Sequence, residues 1–386
     1  MLYAQKKVFV GACLGILIFG LGITTLGSVK QDLMLRFSLS EIGAGTLFSI
    51  LPLGILVGSL IFGPAADKYG FKYILSGCCF SMFLGFEGIA MASSWWLLRA
   101  SVFMFGLGGG AMNGASSALV ADLSIQKKGA NLSILGVFFG IGALGMPLVL
   151  GTLVQWFSYS TIIAAVGWLS FAIGIFYLSI KFPAAKLGNG FPLRQVLSLV
   201  KDPVLLLIAF FLFCQSSLES LVNNWSTSYL TEAKGFQVKK ALFALSLSVA
   251  GMTAMRLLLG SVLKQLAQRS LWKISFVLLL LGWGLSVWPV DSLSNVAGLV
   301  LIGAGLAGGF PLMLGLVADR FSQLSATAFS VVLVVALAGN MLVNFLMGIV
   351  VERSGIHNWS LAIIIEWVVM AILCFCILQK IKNGQD

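Results

Sequence analysis

The arrangement of this chain follows from the segment Gly63-Pro64-Ala65-Ala66-Asp67-Lys68-Tyr69-Gly70-Phe71-Lys72. This short charged turn separates two apolar runs, residues 43–62 and 73–93, each of which is long enough to cross a bilayer. Pro64 has no backbone N–H, so we expect it to stop the incoming helix or to begin a new turn. The segment therefore predicts a connection between two membrane-spanning helices.

The residue types in this turn favour a conformational latch. Gly63 and Gly70 allow close backbone approach and positive φ. Asp67 is a carboxylate at the membrane edge beside two cations, Lys68 and Lys72. It can accept hydrogen bonds from free amides at a helix N-terminus, where negative charge is favoured by about 0.3–1 kcal/mol. Such a turn can hold one arrangement of helices and release it in another.

Composition makes this an integral membrane protein. Of the 386 residues, 59% are hydrophobic and 10% are charged, which is more apolar surface than a soluble fold can bury. The net charge of +11 is scattered over short loops, which favours positive cytoplasmic loops over nucleic-acid binding. The six cysteines fall in apolar runs and are expected to be free thiols, and a single histidine argues against a metal site. We expect no cofactor.

Hydropathy predicts an all-helical fold with twelve membrane spans. They lie near residues 8–28, 43–62, 73–93, 98–121, 132–155, 160–181, 204–228, 239–262, 272–289, 295–317, 328–351 and 358–379. The longest loop, residues 182–203, is expected to link an N-terminal bundle, residues 1–181, to a C-terminal bundle, residues 204–386. Lys and Arg are more frequent in the loops on the side of the membrane that holds the N-terminus. Because cytoplasmic loops carry the excess of positive charge, both termini are expected in the cytoplasm.

The two halves repeat in sequence. Leu119-Val120-Ala121-Asp122 reappears as Leu316-Val317-Ala318-Asp319, an offset of 197 residues, and the same offset carries Gly63 onto Gly260 and Gly106 onto Gly303. Two six-span halves that repeat in the same sense form a parallel internal repeat, which in transporters places the substrate site between the halves. Lys264 stands where Asp67 stands in the first half, so the latch is expected to be asymmetric.

The turn resembles the signature between the second and third helices of the major facilitator superfamily, and the resemblance covers nearly the whole chain. It implies two pseudo-symmetric six-helix bundles and secondary transport by alternating access. Four segments are more specifically similar to fucose-permease-like transporters, which are mostly proton-coupled importers of sugars: residues 113–122, 138–147, 219–225 and 303–311. Fucose permeases carry acids on spans one and four, whereas here span one has none and span four offers Asn113, so their coupling scheme does not carry over.

Three carboxylates lie deep in predicted spans: Glu87, Glu219 and Glu366. A membrane-embedded acid is costly, and an apolar setting favours its neutral form, so each could exchange a proton. Glu219 is the strongest candidate because an amide pair and an aromatic ring follow on the same helix, a mixture that suits a sugar. Glu87 is the second candidate for proton coupling, although it and Glu366 lie in spans that are peripheral in the superfamily and could serve structural hydrogen bonds.

Amides mark the expected substrate site. The candidate contacts are Asn113, Glu219, Asn223, Asn224, Trp225, Asn340 and Asn344. Asn340 and Asn344 are four residues apart and share a helix face, which could line a cavity or bond a neighbouring helix. Arg256 is expected at a depth that excludes an ion pair with Glu219, and it is assigned to the latch, snorkelling to the interface or bracing the second hinge.

These observations predict a secondary transporter in a bacterial inner membrane and not an enzyme. The first interpretation is proton-coupled uptake of a sugar or similar small polar solute by a monomer. The alternative is an efflux antiporter for a drug or metabolite, which the many Phe and Met residues would suit. A receptor or scaffold without transport would not explain the mid-membrane polar residues. A pump driven by ATP would need a phosphate-binding loop that the sequence lacks.

Overall fold

The computed structural model describes residues 5–39, 41–124, 128–185, 199–262, 265–287 and 292–383. Within these parts every regular element is helical. The α-helices are α1 (Gln5–Ile23), α2 (Thr25–Ser28), α3 (Lys30–Phe37), α4 (Glu41–Tyr69), α5 (Phe71–Met91), α6 (Trp95–Leu123), α7 (Lys128–Leu153), α8 (Tyr159–Ser179), α9 (Pro203–Ser228), α10 (Val238–Ser261), α11 (Gln268–Val287), α12 (Ser292–Leu306), α13 (Gly309–Arg320), α14 (Ser325–Ser354) and α15 (Trp359–Asn383). A π-helical turn, Tyr229–Ala233, extends α9.

In the described residues, eleven helical segments are long and apolar enough to cross a membrane. They account for all but one of the predicted spans, with α12 and α13 together forming a single span, Leu293–Arg320. The remaining span is α6, whose glycines and serines lower its hydropathy. Its glycine-rich middle is buried against α4 and α5, so protein and not lipid surrounds much of that helix.

The helix before the charged turn continues further than the sequence predicts. α4 runs through Pro64 to Tyr69, so the expectation that Pro64 stops it was wrong. Pro64 cannot donate to the carbonyl of Leu60, four residues earlier. The hydroxyl of Ser330 donates to that carbonyl instead, at 3.2 Å, and also to the carbonyl of Ser59. A side chain from another helix therefore replaces the missing backbone bond, as is common in membrane helices.

The chain groups into two compact units. The first takes in residues 1–125, 138–196 and 320–330, and the second takes in residues 126–137, 197–319 and 331–386. The start of α7 thus groups with helices of the C-terminal half, and the start of α14 with helices of the N-terminal half. The division at residues 1–181 and 204–386 stays a prediction. Most of the predicted linker, residues 182–203, lies outside the described residues.

The sequence repeat corresponds to matched helix contacts in the two units. In the first unit, a Cβ placed on Gly54 would lie 2.5 Å from the carbonyl oxygen of Phe103. In the second unit, a Cβ on Gly251 would lie 2.8 Å from that of Val300. Gly54 and Gly251 are separated by 197 residues, and so are Phe103 and Val300. The same offset relates the contact of Gly108 with Cys78 to the contact of Gly305 with Ser275.

Candidate functional site

The predicted latch residue Asp67 caps the N-terminus of α14 within the first unit. Its side chain is 1% exposed, and its Oδ2 accepts hydrogen bonds from the backbone N–H of Thr327 at 2.9 Å and from the Thr327 hydroxyl at 2.6 Å. Thr327 belongs to the first turn of α14, where backbone amides have no partner within the helix. The carboxylate therefore lies where the sequence places it, at a helix N-terminus that favours negative charge.

Glycine is required at two positions of the latch, for a different structural reason at each. A Cβ on Gly63 would lie 2.7 Å from the carbonyl oxygen of Ala326 and 2.9 Å from the Cα of Thr327, so only glycine allows this approach. Gly70 has a φ of +80°, which permits the reversal between α4 and α5.

The two cations of the turn lie over neighbouring rings, Lys68 at 4.9 Å from the Tyr69 centroid and Lys72 at 6.0 Å from that of Tyr73.

Two further aspartates occupy equivalent places in the repeat. Asp122 accepts a hydrogen bond from the Ser325 hydroxyl at 2.7 Å in the first unit, and Asp319 forms an ion pair with Lys128 at 2.7 Å in the second. Ser325 and Lys128 are themselves separated by 197 residues. Both aspartates mark the repeat in the sequence, but their contacts were not predicted. The sequence feature that could have predicted these contacts is the position of both aspartates at the ends of equivalent helices.

A polar cluster joins α9 to α14 in the second unit. Asn344 Oδ1 accepts from Trp225 Nε1 at 3.0 Å and from Asn224 Nδ2 at 3.1 Å. Asn344 Nδ2 donates to the Ser220 hydroxyl and to the Asn340 carbonyl. The Ser220 hydroxyl also bonds Asn340 Oδ1 at 3.2 Å and Asn224 Nδ2 at 3.1 Å. The structure thus brings together four predicted residues and adds Ser220, which was not predicted.

The spacing of the residues explains why this cluster forms. Ser220 and Asn224 are four residues apart on α9, and Asn340 and Asn344 are four residues apart on α14, so each pair lies on one helix face. Asn224 is exposed and Trp225 is half-buried, whereas Ser220 is buried. The cluster is therefore open on one side, where amide groups and an indole ring are accessible.

Besides Glu219, two predicted substrate contacts do not join the cluster. Asn223 is exposed on α9, and Asn113 is half-buried on α6 in the first unit. Among the residues that the structure describes, neither side chain makes a hydrogen bond. Both remain predicted contacts.

Glu219 faces Arg256, a cation that was not expected as its partner. Arg256 Nη2 lies 4.0 Å from Glu219 Oε1, and Arg256 Nη1 donates to the carbonyl of Gly136 at 3.5 Å. The expected difference in depth was wrong because helical rise locates only the Cα atoms, whereas the long arginine side chain extends along the bundle. Arg256 is 8% exposed, so the pair is largely shielded from water. Its place beside Glu219 and α7 replaces the expectation of snorkelling to the interface.

The other two acids have different surroundings. Glu366 Oε1 accepts from the Ser217 hydroxyl at 2.9 Å, which links α15 to α9. Glu87 Oε1 lies against α8, where a Cβ on Gly167 would be 3.0 Å away, and within the described chain it has no hydrogen-bond partner. In the described residues, therefore, only one of the three acids has a nearby cation.

Comparisons with known proteins give this arrangement a context. A family model described as Major Facilitator Superfamily matches residues 12–322. The glucose/mannose transporter GlcP of Bacillus subtilis (strain 168) is 25% identical over 342 residues, covering 83% of this chain and 82% of GlcP. A multi-drug resistance efflux pump PmrA homolog of Lactococcus lactis subsp. lactis (strain IL1403) is 25% identical over 224 residues, covering 56% of this chain and 54% of the pump.

A solved structure shares the fold. A crystal structure of a variant of the E. coli fucose:proton symporter FucP has a TM-score of 0.80 and 17% sequence identity, covering 96% of this chain and 98% of FucP. The predicted all-helical membrane fold, with twelve transmembrane helices in two pseudo-symmetric six-helix bundles, is thereby confirmed.

Proposed function

Because this chain belongs to the Major Facilitator Superfamily, and is therefore a transporter and not an enzyme, we propose that it takes up a sugar or a similar small polar solute together with protons. It does so by alternating access, as a monomer in a bacterial inner membrane with both termini in the cytoplasm. Support comes from the polar cluster, from the acid beside it, and from relatives that carry glucose, mannose or fucose.

The observation that carries the proposal is the α9–α14 cluster. Amide side chains both donate and accept hydrogen bonds, as sugar hydroxyls do, and a partly exposed indole offers a face for stacking. Asn224, Trp225, Asn340 and Asn344 supply these groups from two helices. When substrate binds, each amide–amide hydrogen bond that breaks can be replaced by a hydrogen bond to a substrate hydroxyl. No polar group of the cluster then needs to be left without a partner.

The proton step is assigned to Glu219. Arg256, 4.0 Å away, offsets part of the cost of a charged Glu219 in this buried setting. Arg256 also bonds the backbone of α7, so a rearrangement of α7 against α10 would draw the guanidinium away. A carboxylate left in that setting without its cation is costly and takes up a proton. Glu219 can therefore bind a proton in one access state and release it in the other.

The latch links this step to the alternation of access. Asp67 stabilises the first turn of α14 in the arrangement seen here, and the amides of the substrate cluster lie further along the same helix. Movement of α14 would break the cap and displace Asn340 and Asn344 together. Gly63, Gly70, Lys68 and Lys72 complete this latch.

The experiment is uptake by purified protein in proteoliposomes under an imposed proton gradient. A panel of radiolabelled hexoses and pentoses should include at least one that accumulates only when the gradient is present. Asn344→Ala removes bonds to three side chains, so it should raise the KM for that sugar by roughly tenfold, as expected for about 1.4 kcal/mol of lost binding. Asn131→Ala, at the start of α7, is the matched amide control and should leave the KM unchanged.

Efflux by antiport is the second candidate, and the efflux-pump relative favours it. The two functions differ in direction. Cells that overproduce an efflux antiporter would retain less of a lipophilic dye and survive higher drug concentrations. Dye export that depends on Glu219, without gradient-driven accumulation of any sugar, would replace the uptake proposal with this one.

A further inference from the structure

An open apolar groove lies between α11 and α15 in the second unit, apart from the polar cluster. Its volume is about 630 Å³. Phe276 and Trp367 form part of its wall, and Val277 and Phe375 are 54% and 62% exposed. An exposed apolar surface on two membrane-spanning helices must be covered by lipid tails or another apolar molecule. Apart from Gln379 at one end, its lining has no amide, and it has no acid, so it does not form a path for a polar solute.

The groove wall is held in place by aromatic contacts. The indole Nε1 of Trp367 donates to the backbone carbonyl of Phe276 at 3.0 Å, and the two rings meet edge to face with centroids 6.1 Å apart. Trp272, which is buried, lies beside Phe276 and packs edge to face against Phe211 of α9. A molecule that enters the groove therefore meets a formed surface and need not order it first.

One end of the groove is positively charged. Arg269 and Lys273 line it in the first two turns of α11, and both are exposed. No acidic side chain lines the described groove, so these charges are not neutralised there. Basic residues between transmembrane helices at the level of the headgroups are the usual complement of an anionic lipid phosphate.

The length of the groove fits one leaflet. On α15 it extends from Trp367 to Gln379, a separation of twelve residue steps or about 18 Å at a helical rise of about 1.5 Å. Half of a hydrocarbon core about 30 Å thick is about 15 Å. An amphiphile with its phosphate at Arg269 and Lys273 would therefore lay its acyl chains along Phe276 and Phe375 toward the bilayer midplane.

We propose that this groove is a binding site for an anionic phospholipid. The lipid belongs to the leaflet on the side of the membrane where α11 begins, which is also the side of the chain's N-terminus. Its phosphate is bound by Arg269 and Lys273, and its acyl chains fill the aromatic groove. This site goes beyond the proposed transport function and uses none of the residues assigned to it.

The test is native mass spectrometry of the detergent-purified protein with phosphatidylglycerol or phosphatidylcholine of identical acyl chains. The wild-type protein should retain phosphatidylglycerol several-fold more than phosphatidylcholine. Arg269→Gln with Lys273→Gln should abolish that preference. The control, Lys6→Gln with Lys7→Gln, removes two exposed charges on the same side of the membrane and should keep it.

A second measurement does not depend on any variant. A photoactivatable phosphatidylglycerol, reconstituted with wild-type protein in liposomes, should cross-link to peptides of α11 and α15 in the groove. Equal retention of the anionic lipid by the Arg269/Lys273 variant overturns the proposal, as does an equal loss in the Lys6/Lys7 control. Cross-links that avoid α11 and α15 overturn it as well.

Discussion

Two equivalent helix contacts in the molecule carry different chemistry. In the first unit α1 meets α7 through glycines, and a Cβ on Gly20 would lie 3.1 Å from the Cα of Gly142. In the second unit α9 meets α14, where Gly339, the equivalent of Gly142, still packs against the backbone of Phe213. The backbone arrangement is similar in both units, but among the described residues the cluster of hydrogen-bonded amides surrounds the contact in the second unit.

The difference can be followed residue by residue. At the offset of 197 residues, the positions of Asn340 and Asn344 correspond to Ala143 and Pro147, and the position of Glu219 corresponds to Gly22. The repeat therefore preserves the close helix approach, while the polar groups occur in one copy. We infer that the second unit supplies substrate and proton chemistry, whereas the first supplies the Asp67 latch, whose counterpart position, Lys264, lies outside the described residues.

The largest expected effect is at Glu219. Glu219→Gln keeps the shape and hydrogen bonding of the side chain but fixes the neutral form. Proton-driven accumulation of substrate should be lost, because the side chain can no longer alternate between charged and neutral states. Binding and exchange of substrate across the membrane should persist. Both are measured in proteoliposomes over a range of pH.

The control for this prediction is Glu232→Gln, which neutralises an exposed acid beyond the end of α9. It should accumulate substrate as the wild type does. If the Glu219 variant accumulates substrate with wild-type pH dependence, Glu219 is not the proton carrier. Glu87, in the first unit, would then be tested next.

A smaller effect is expected at Asp67. Asp67→Asn removes the negative charge from the N-terminus of α14, which in a buried position is worth about 1–2 kcal/mol. The balance between the two access states should shift about five- to thirty-fold, and uptake should slow while the protein stays folded. Spin-label distances between the two units would report the shift.

Asp202→Asn is the matched control for this change. Asp202 caps α9 by accepting from the amides of Val204 and Leu205 within the second unit. Its replacement should leave the populations of the access states unchanged. Unaltered distances and uptake in the Asp67 variant would show that this cap has no part in the alternation.

The next prediction tests whether the packing of the two units is equivalent. Gly54→Ala and Gly251→Ala each place a methyl group against a backbone carbonyl of the neighbouring helix. Both should lower stability, by about 1–3 kcal/mol each, because a packed backbone cannot move aside. Thermal unfolding in detergent should show two similar decreases in midpoint. Gly284→Ala, where nothing lies within 4 Å, should show none.

Much of the fold could be predicted because hydropathy, charge distribution and the repeat all point to the same arrangement. The continuation of α4 through Pro64 could not be predicted, since the replacement donor, Ser330, is far away in sequence. The polar cluster between α9 and α14 could be predicted in part. Paired amides on one helix face stand out in an apolar sequence, but Ser220 does not, because serine is common in membrane helices. The Glu219–Arg256 contact depends on side-chain direction and helix packing, which local periodicity leaves open.

The smallest effect is expected at Glu366, whose counterpart in the first unit is Leu169. Glu366→Gln retains an acceptor for the Ser217 hydroxyl, so the link between α15 and α9 should survive and uptake should keep its pH dependence. Glu366→Leu, which copies the first unit, removes that bond and should cost about 1 kcal/mol of stability, again without changing the pH dependence. A loss of gradient-driven accumulation in Glu366→Gln would contradict the assignment of the proton step to Glu219. The titrating acid would then lie at the α9–α15 contact, and the pairing of Glu219 with Arg256 would be structural.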